Sequence, residues 1–583
     1  MKQEKFNIKV ETDFLRCLED GKVSKKAYPK AFGKKESNNF ITTKKDNDSI
    51  FRIITPMCVS VSEVYTKLQE IMNVVMTEIH NTPEVLWPSS IYEGKLVTTN
   101  KINVVVDEEY FKELTKVNST LPKKLDKALD VSKDYFEKNK TLLEGIYGNI
   151  SLKVSKNSFE ISKIRKNYLN KESISEYDLL VLVTLVFACM SKVEAKTLSE
   201  LKTKLKQITK KYQLKATDAI DSLSNEKNRL EEEAKLTDKK MLKVAIDHLE
   251  NGYNMRYGLT KYTKVVAESV CSIKDAISQG IDYKVLNEAK SVVQFTLGSH
   301  KEFIIEGNKT DRDNYIFPII TDDKFTSKQI MLEAGLNCPQ AVLLEKDMDA
   351  EDVDSIVSPF YNKKVVVKPR NTNYGTGITV FSEPATKAQI MNAIEYAFRF
   401  DNNLLLEEYA KGMEYRFLVI DGKCLSVAHR RNASVVGDGK STIKELISQK
   451  CKEPWHAMTG SPVKQDEPVV EYLKLQGLTL DSVVPNGKRV TLRSNSNVST
   501  GGESIDYTDT MPAKFKKIAE KAAKAFDAKI CGVDIIIEDF KKDKYSIIEI
   551  NDNPGYSINE WPYEGKGERI GLAVLDLLGF KQK

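Results

Sequence analysis

The sequence predicts an α+β protein with more than one domain, and three observations support this. The chain has 583 residues, more than one hydrophobic core normally serves. Short apolar runs typical of strands alternate with helical stretches throughout residues 285–583. Residues 120–280 have a mainly helical pattern and follow a mixed segment at 1–120. We therefore expect an N-terminal domain over 1–280 and a C-terminal domain over 285–583.

The N-terminal elements follow from local patterns. Short β-like runs stand at 40–43, 50–54 and 102–106, and a helical stretch covers 61–79. Residues 201–249 are dense in Lys, Glu and Leu with few helix breakers, which favours long amphipathic helices with a solvated charged face. In the C-terminal half, an Asp-Gly pair at 421–422 predicts a tight turn between two strands.

Composition excludes several classes of protein. A net charge of +6 over this length gives no concentrated basic face, so we expect no nucleic-acid partner. The start of the chain lacks the apolar segment of a signal peptide, and the longest apolar run, 179–190, is too short to span a bilayer. The 8 cysteines include no CxxC pair, which favours reduced thiols and a cytoplasmic location without a membrane partner.

A strand-end lysine followed by a glycine loop predicts a phosphate site. Lys368 ends the apolar run at 365–367, where a buried ammonium needs an anionic partner. Gly375 and Gly377 follow, and two close glycines let backbone N–H groups approach phosphate oxygens. Lys324, at the head of a predicted helix, adds a second point charge of the kind that binds phosphate.

A second segment suits the adenine and ribose of ATP. An apolar strand runs directly into Glu407, whose carboxylate can accept a hydrogen bond from the exocyclic amine of adenine. Glu408 and Tyr409 follow and can offer backbone groups to the adenine edge. Glu414 can accept hydrogen bonds from ribose hydroxyls. With Asn373, which opens the glycine loop, these residues form the predicted nucleotide-binding set.

Two further groups suit phosphoryl transfer and a metal ion. Arg493 and Asn495 lie among amides, hydroxyls and glycines, a setting suited to an anion that develops during transfer. Asp534 and Glu549 each end an apolar strand, and Asn551 follows two residues after Glu549. Oxygen atoms of carboxylates and amides, completed by phosphates, are the ligands that Mg²⁺ prefers. The sequence therefore predicts an ATP site with Mg²⁺.

In their order along the chain, these residues resemble the ATP-grasp superfamily. Five motifs are similar to the C-terminal half of the fused glutamate–cysteine ligase/glutathione synthetase of bacteria: 365–378, 414–423, 435–440, 492–502 and 530–534. The resemblance implies an ATP-grasp fold over 285–583. It also implies an ADP-forming ligase, in which ATP phosphorylates a carboxylate and an amine attacks the acyl phosphate.

The same resemblance implies further details. The substrates would be γ-glutamylcysteine and glycine, and Lys368, Arg493 and Asn495 would act in catalysis. Mg²⁺ or Mn²⁺ would be the metal, and the protein would form a homodimer that acts on amino-acid or γ-glutamyl peptide substrates. The glycine loop and residues 435–440 would act as lids.

The N-terminal half is similar to glutamate–cysteine ligase at 40–43, 53–56, 86–88 and 145–149. Where that family has glutamates that bind Mg²⁺, this chain has Lys9, Glu11 and Arg52. Two anions are thus replaced by cations, and such a site cannot hold several Mg²⁺ ions beside ATP. A family histidine falls on Tyr147. We therefore predict a degenerate α/β domain without ligase activity, which serves oligomerisation or substrate recruitment.

Two other functions stay open at this point. Residues 553–563 depart from the apolar segment that the family has near its acceptor substrate, which is consistent with a ligase that joins a different amino acid or peptide in a specialised pathway. A non-catalytic nucleotide-binding regulatory protein is the third alternative. The intact set of predicted site residues argues against it.

Overall fold

The structure of the protein is a computed structural model. It describes residues 6–18, 24–44, 47–80, 84–87, 91–92, 95–96, 100–106, 111–112, 116, 123–147, 150–155, 158–163, 186, 189–190, 195–211, 265–372, 377–453, 455–456, 462–493 and 496–580. Strands and helices alternate along the chain, so the predicted α+β class is confirmed. Within these ranges, no helix combines the length and the apolar character needed to cross a membrane.

The N-terminal half is built on a seven-stranded antiparallel sheet in the order β2-β3-β1-β7-β9-β8, with β4 also paired to β1. The strands are β1 (Phe6–Leu18), β2 (Ile41–Lys44), β3 (Asn47–Ile54), β4 (Glu84–Trp87), β5 (Ile91–Tyr92), β6 (Lys95–Leu96), β7 (Asn100–Val106), β8 (Ile150–Ser155) and β9 (Ser158–Lys163). The helices are α1 (Val61–His80), α2 (Leu125–Tyr147) and α3 (Leu198–Lys211). The predicted strands at 40–43, 50–54 and 102–106 and the helix at 61–79 are thus confirmed.

Alternation along β1 explains why this sheet forms. Ile8, Val10 and Phe14 are buried on one face, whereas Lys9 and Glu11 point to the other. The apolar face packs on α1 in a hydrophobic core. The sheet therefore has one apolar face and one charged face.

The expectation that residues 120–280 are mainly helical is wrong in one place. β8 and β9 form an antiparallel hairpin that joins the N-terminal sheet, because Leu152, Phe159 and Ile161 follow the period of a strand and are buried on its apolar face. α3 covers the start of the helical pattern at 201–249. The rest of that pattern, and most of the apolar run at 179–190, lie outside the described residues.

The first elements of the C-terminal half are a three-stranded sheet, a four-stranded sheet and the helices around them. They comprise α4 (Ala267–Ser278), β10 (Asp282–Asn287), β11 (Val292–Leu297), β12 (His300–Ile305), α5 (Ile316–Asp322), α6 (Lys324–Glu333), β13 (Ala341–Glu345), α7 (Ala350–Val357), β14 (Lys363–Pro369), β15 (Thr379–Ala385), α8 (Lys387–Ala397) and β16 (Asn403–Glu408). The four-stranded sheet is antiparallel, in the order β13-β16-β14-β15. It packs with α7 and α8 around a core of its own.

A five-stranded antiparallel sheet follows, in the order β21-β18-β17-β22-β23. The remaining elements are β17 (Met413–Ile420), β18 (Lys423–Arg431), β19 (Ser434–Val436), α9 (Ile443–Lys450), α10 (Glu467–Leu475), β20 (Arg489–Thr491), β21 (Glu503–Asp506), α11 (Ala513–Ala525), β22 (Ile530–Ile537), β23 (Tyr545–Asn551), α12 (Ser557–Glu560) and α13 (Ile570–Leu577). The predicted turn between β17 and β18 is confirmed, with positive φ angles of 48° at Asp421 and 73° at Gly422.

β17 separates two hydrophobic cores. Phe417 and Val419 point into the core beneath α11, whereas Leu418 and Ile420 point to the opposite side. That opposite side joins a core which also contains α4, α13 and the apolar face of the N-terminal sheet. The predicted boundary at 280–285 stays a prediction, but the hydrophobic core is continuous across it.

Polar contacts reinforce this junction between the two halves. Arg569, which directly precedes α13, donates to Asp275 Oδ1 of α4 at 2.9 Å and to the carbonyl oxygen of Ala31 at 2.9 Å. Glu560 is buried beside them and accepts a hydrogen bond from the Gly571 amide at 2.9 Å, and Lys274 Nζ lies 3.9 Å from its other oxygen. Burial, followed by the charge of Asp275, raises the pKa of Glu560 to about 7.

This raised pKa predicts a pH-dependent stability. The carboxyl group binds its proton more tightly in the folded protein, so its stabilising contribution is complete below the ordinary pKa of 4.5 and is lost as the pH rises to about 7. We expect the free energy of unfolding to fall by up to about 3 kcal/mol over this interval. Urea denaturation at a series of pH values measures it.

The matched variants are Glu560→Gln and, on the exposed face of α8, Glu395→Gln. Glu560→Gln should flatten the pH dependence between pH 4.5 and 7, and Glu395→Gln should keep it. An unchanged pH dependence in Glu560→Gln would contradict this assignment.

Candidate active site

Two of the predicted site residues meet on the four-stranded sheet. Lys368 lies near the end of β14, and Glu407 lies near the end of the neighbouring strand β16. Lys368 pairs in register with Leu405, so its side chain and that of Glu407 emerge on the same face, two residues apart. Lys368 Nζ lies 2.9 Å from Glu407 Oε1. The strand-end lysine therefore has a buried carboxylate beside it.

A third residue completes this group, and the sequence reasoning missed it. Lys328 Nζ, from the second turn of α6, lies 3.2 Å from the same Glu407 oxygen. All three side chains are at most 6% exposed. Desolvation lowers the pKa of Lys328, and the charge of Glu407 opposes that shift. The four-residue spacing between Lys324 and Lys328, which puts both on one helix face, was the available signal.

Lys324 lies where α6 approaches the glycine loop. Its Nζ donates to the carbonyl oxygen of Thr372 at 2.6 Å, directly before the loop. Asp323 caps α6 by accepting from the backbone amides of residues 325 and 326, and it also accepts from Arg370 Nε at 2.8 Å. Burial lowers the pKa of Lys324, and the charge of Glu549 opposes that shift. The first turn of α6 therefore meets the segment that leads into the glycine loop.

The glycine loop is described only in part. Asn373 and Gly375 lie outside the described residues. Gly377 has a φ of 74°, and a Cβ atom there would lie 2.7 Å from Pro369 Cγ. Only glycine fits both the left-handed backbone and this close approach.

The acidic segment after β16 has partners within the protein. The Glu408 amide donates to the carbonyl oxygen of Gln340 at 3.0 Å, and the Tyr409 amide donates to that of Lys364 at 3.0 Å. These two amides are thus bonded to neighbouring backbone, and the predicted contact of this segment with adenine stays a prediction. Glu414 lies on β17 and pairs with Arg430 of β18.

The predicted metal ligands lie together on the five-stranded sheet. Asp534 of β22 and Glu549 of β23 are partners in register, and Asn551 Nδ2 donates to Glu549 Oε1 at 3.3 Å. Asp534 also pairs in register with Arg416 of β17. Arg416 NH2 donates to Asp534 Oδ2 at 2.8 Å and lies 3.9 Å from Glu549 Oε1. A buried guanidinium therefore stands between the two carboxylates.

Arg430 connects the two acidic groups of this sheet. It pairs with Glu414, and its NH2 donates to Asp534 Oδ2 at 2.9 Å. Burial alone would raise the pKa of Asp534, but the charges of Arg416 and Arg430 hold it well below its usual range. Sequence reasoning missed both arginines. The signal for Arg416 was its place two residues after Glu414, on the same face of a strand.

The donor set fits a hard divalent cation in its chemistry. In the described part of the chain, no three His, Cys, Asp or Glu side chains cluster as a metal site would require. The predicted set consists instead of two carboxylates and the amide of Asn551. Glu549 is the more open carboxylate, with its side chain 33% exposed. Both oxygens of Asp534 already accept from guanidinium groups, so a metal ion would share Asp534 with Arg416 or Arg430.

Arg493 is the other predicted catalytic residue that the structure describes. Arg493 is buried beside the small subdomain formed by β19, β20, α9 and α10, where it pairs with Asp466. Asn495 lies outside the described residues. The carbonyl oxygen of Arg493 also accepts a hydrogen bond from Asn432 Nδ2 at 3.0 Å, and Asn432 directly follows β18 of the five-stranded sheet.

The charged face of the N-terminal sheet is internally paired. Arg52 Nε donates to Asp13 Oδ1 at 2.8 Å, and these two residues are partners in register between β1 and β3. Lys9 Nζ lies 3.9 Å from Glu11. Arg52 and Lys9 thus neutralise the nearby carboxylates of Asp13 and Glu11.

The pairing of Asp534 predicts a difference between two isosteric variants. Asp534→Asn removes the counter-charge of the buried Arg416 and should lower the free energy of unfolding by about 3 kcal/mol. Glu549→Gln removes a charge that is partly exposed and should cost less than about 1 kcal/mol. Chemical denaturation measures the free energy of unfolding of both variants. Equal decreases would contradict the assignment of Asp534 as the counter-charge of Arg416.

Comparison with protein families gives three matches along the chain. Residues 2–107 match the glutamate–cysteine ligase family, and residues 270–316 match an ATP-grasp-like domain. Residues 321–450 and 480–562 match the RimK-like ATP-grasp domain. The chain therefore carries a glutamate–cysteine ligase-like domain followed by an ATP-grasp domain, which confirms the predicted fold.

The similar proteins include bacterial enzymes named for glutathione biosynthesis. The glutathione biosynthesis bifunctional protein GshAB of Clostridium perfringens is 36% identical over 348 residues, 58% of this chain and 44% of that protein. Its counterpart from Listeria innocua is 38% identical over 311 residues, 52% of this chain and 40% of that protein. The matched region thus spans less than half of the length of these relatives.

A crystal structure of a bifunctional glutathione synthetase from Pasteurella multocida has the same fold. Its TM-score is 0.80 at 22% identity, and the superposition covers 99% of this chain and 98% of that one. The resemblance to the fused bacterial enzyme, predicted from the motifs, is confirmed.

Proposed function

We propose that this chain, in which an ATP-grasp domain follows a glutamate–cysteine ligase-like domain, is an ATP-dependent carboxylate–amine ligase with one working site. The observation that carries the proposal is the buried group of Lys368, Glu407 and Lys328, with an excess positive charge beside the glycine loop. Buried charge without a counter-ion is costly, so this group suits an anionic ligand. The phosphates of ATP supply such an anion.

The two sheets divide the work. Lys368, on the four-stranded sheet, and Lys324, on α6, would bind the phosphates of ATP. Arg416 and Arg430 line the five-stranded sheet, where their guanidinium groups suit the charge of a transferring phosphoryl group. Glu549, Asn551 and Asp534 would hold Mg²⁺ or Mn²⁺, whose charge would neutralise phosphate oxygens. The protein's task is therefore to position charges, as phosphoryl transfer requires.

The proposed substrates come from the relatives. The similar proteins are named for glutathione biosynthesis, so we propose γ-glutamylcysteine as the carboxylate substrate and glycine as the amine. ATP would transfer its terminal phosphoryl group to the carboxylate. The amine of glycine would then attack the acyl phosphate, giving an amide, ADP and phosphate.

The unusual polar segment at 553–563 has a structural explanation that supports this substrate choice. The Tyr556 hydroxyl donates to the carbonyl oxygen of Gly307 at 2.6 Å, and Asn559 Nδ2 donates to Ser426 Oγ at 3.0 Å. Glu560 binds the Gly571 amide. These polar side chains are buried and bonded within the protein, so the departure from the family serves packing.

We further propose that the N-terminal site is inactive. The contacts of Arg52 with Asp13 and of Lys9 with Glu11 support this, because they place positive charge where the family would bind metal ions. The N-terminal domain would then stabilise the ATP-grasp domain through the hydrophobic core that the two share.

The first test removes the strand-end lysine. Lys368→Met should reduce phosphate release from ATP, with γ-glutamylcysteine and glycine present, by about 100-fold or more, because a preorganised charge on the phosphates is lost. Lys364→Met, an exposed lysine of the same strand, is the matched control and should keep its activity. Near-full activity in Lys368→Met would show that the nucleotide site is assigned wrongly.

The second test concerns the N-terminal half. Lys368→Met is incubated with ATP, Mg²⁺, glutamate and cysteine, so that only the N-terminal site could act. We expect no γ-glutamylcysteine above background by mass spectrometry. Wild-type protein with γ-glutamylcysteine and glycine serves as the positive control. Clear formation of γ-glutamylcysteine by the variant would refute the inactive N-terminal site.

A further inference from the structure

Helix α6 packs its apolar side on the five-stranded sheet. Its polar side contacts the four-stranded sheet and the residues that directly follow β14. Met331 of α6 is buried in the core of the five-stranded sheet, together with Phe417 of β17. The core of the four-stranded sheet is a separate cluster, formed by β13–β16 with α7 and α8. The link from α6 to the four-stranded sheet is instead polar, through Asp323, Lys324 and Lys328.

Lys328 forms the most deeply buried of these polar links. Its side chain is 2% exposed, whereas those of Asp323 and Arg370 are 21% and 25% exposed. It shares one oxygen of Glu407 with Lys368. Three charges in a buried group carry a large desolvation cost, and replacing them with apolar residues often stabilises a fold. Stability alone therefore does not explain why the group exists.

The charge count of the group gives a reason. Lys368 and Lys328 are cations and Glu407 is an anion, so the group carries a net charge of +1. Without Lys328, Glu407 would neutralise Lys368, and the net charge would be zero. With Lys328, one unit of positive charge is left for a ligand.

We propose that Lys328 is a positioning residue for the nucleotide, which neutralises Glu407 so that the charge of Lys368 is available to the phosphates. Glu407 then orients and balances the two lysines. Because α6 packs on the five-stranded sheet, Lys328 also fixes Glu407 of the four-stranded sheet relative to that sheet. This inference rests on the proposed function, since it requires an ATP site at Lys368.

The test compares ATP binding by four proteins through isothermal titration with MgATP: wild type, Lys328→Met, Lys328→Arg and Gln329→Met. Lys328→Met should weaken ATP binding by about tenfold or more, as expected for loss of a charge that acts on a buried charged contact. Lys328→Arg keeps the net charge of +1 and should bind ATP within about threefold of wild type. Gln329, exposed on the same helix, gives the matched control.

Thermal unfolding of each protein separates binding from folding. If Lys328→Met fails to fold, Lys328→Gln, which removes the charge but keeps a polar group, takes its place. The inference is overturned if the charge-free variant binds ATP as tightly as wild type, or if Lys328→Arg binds as weakly as the charge-free variant. Failure of the wild-type protein itself to bind ATP would overturn the proposed function, and this inference with it.

Discussion

The five-stranded sheet is organised around one carboxylate, that of Asp534. From β22 it binds Arg416 of β17 and Arg430 of β18, and it pairs in register with Glu549 of β23. Four adjacent strands thus converge on a single buried anion. A buried ion pair that loses one partner is strongly destabilising, so these strands are held in one register around the site. The relative positions of these charged side chains are therefore fixed by the sheet itself.

The four-stranded sheet carries a similar buried group, in which one anion lies beside two cations. Glu407 contacts Lys368 and Lys328, just as Asp534 contacts Arg416 and Arg430. Each sheet therefore places two cations around one buried anion. A polyanionic nucleotide between them would meet positive charge from both sheets.

Much of this could be predicted from the sequence, because the relevant signals are local. The apolar runs predicted β14 and β16, and strand-end residues predicted the meeting of Asp534, Glu549 and Asn551. Lys328, Arg416 and Arg430 were missed because their significance depends on which strands and helices become neighbours, and this is set by tertiary packing. The hairpin of β8 and β9 was missed for the same reason: its residues gain strand structure by pairing with β7. Arg493 shows the converse, because its partner Asp466 is 27 residues away and no local pattern links them.

The continuous core has a consequence for how such a protein can change over time. Leu418 and Ile420, on the strand that carries Arg416, pack into the same core as the N-terminal sheet, α4 and α13. Deleting the N-terminal half would expose this apolar surface to water within two residues of Arg416. Point substitutions on the charged face of the N-terminal sheet are therefore tolerated far better than removal of the sheet. Selection can change the charged face of such a domain, yet it must keep the apolar one.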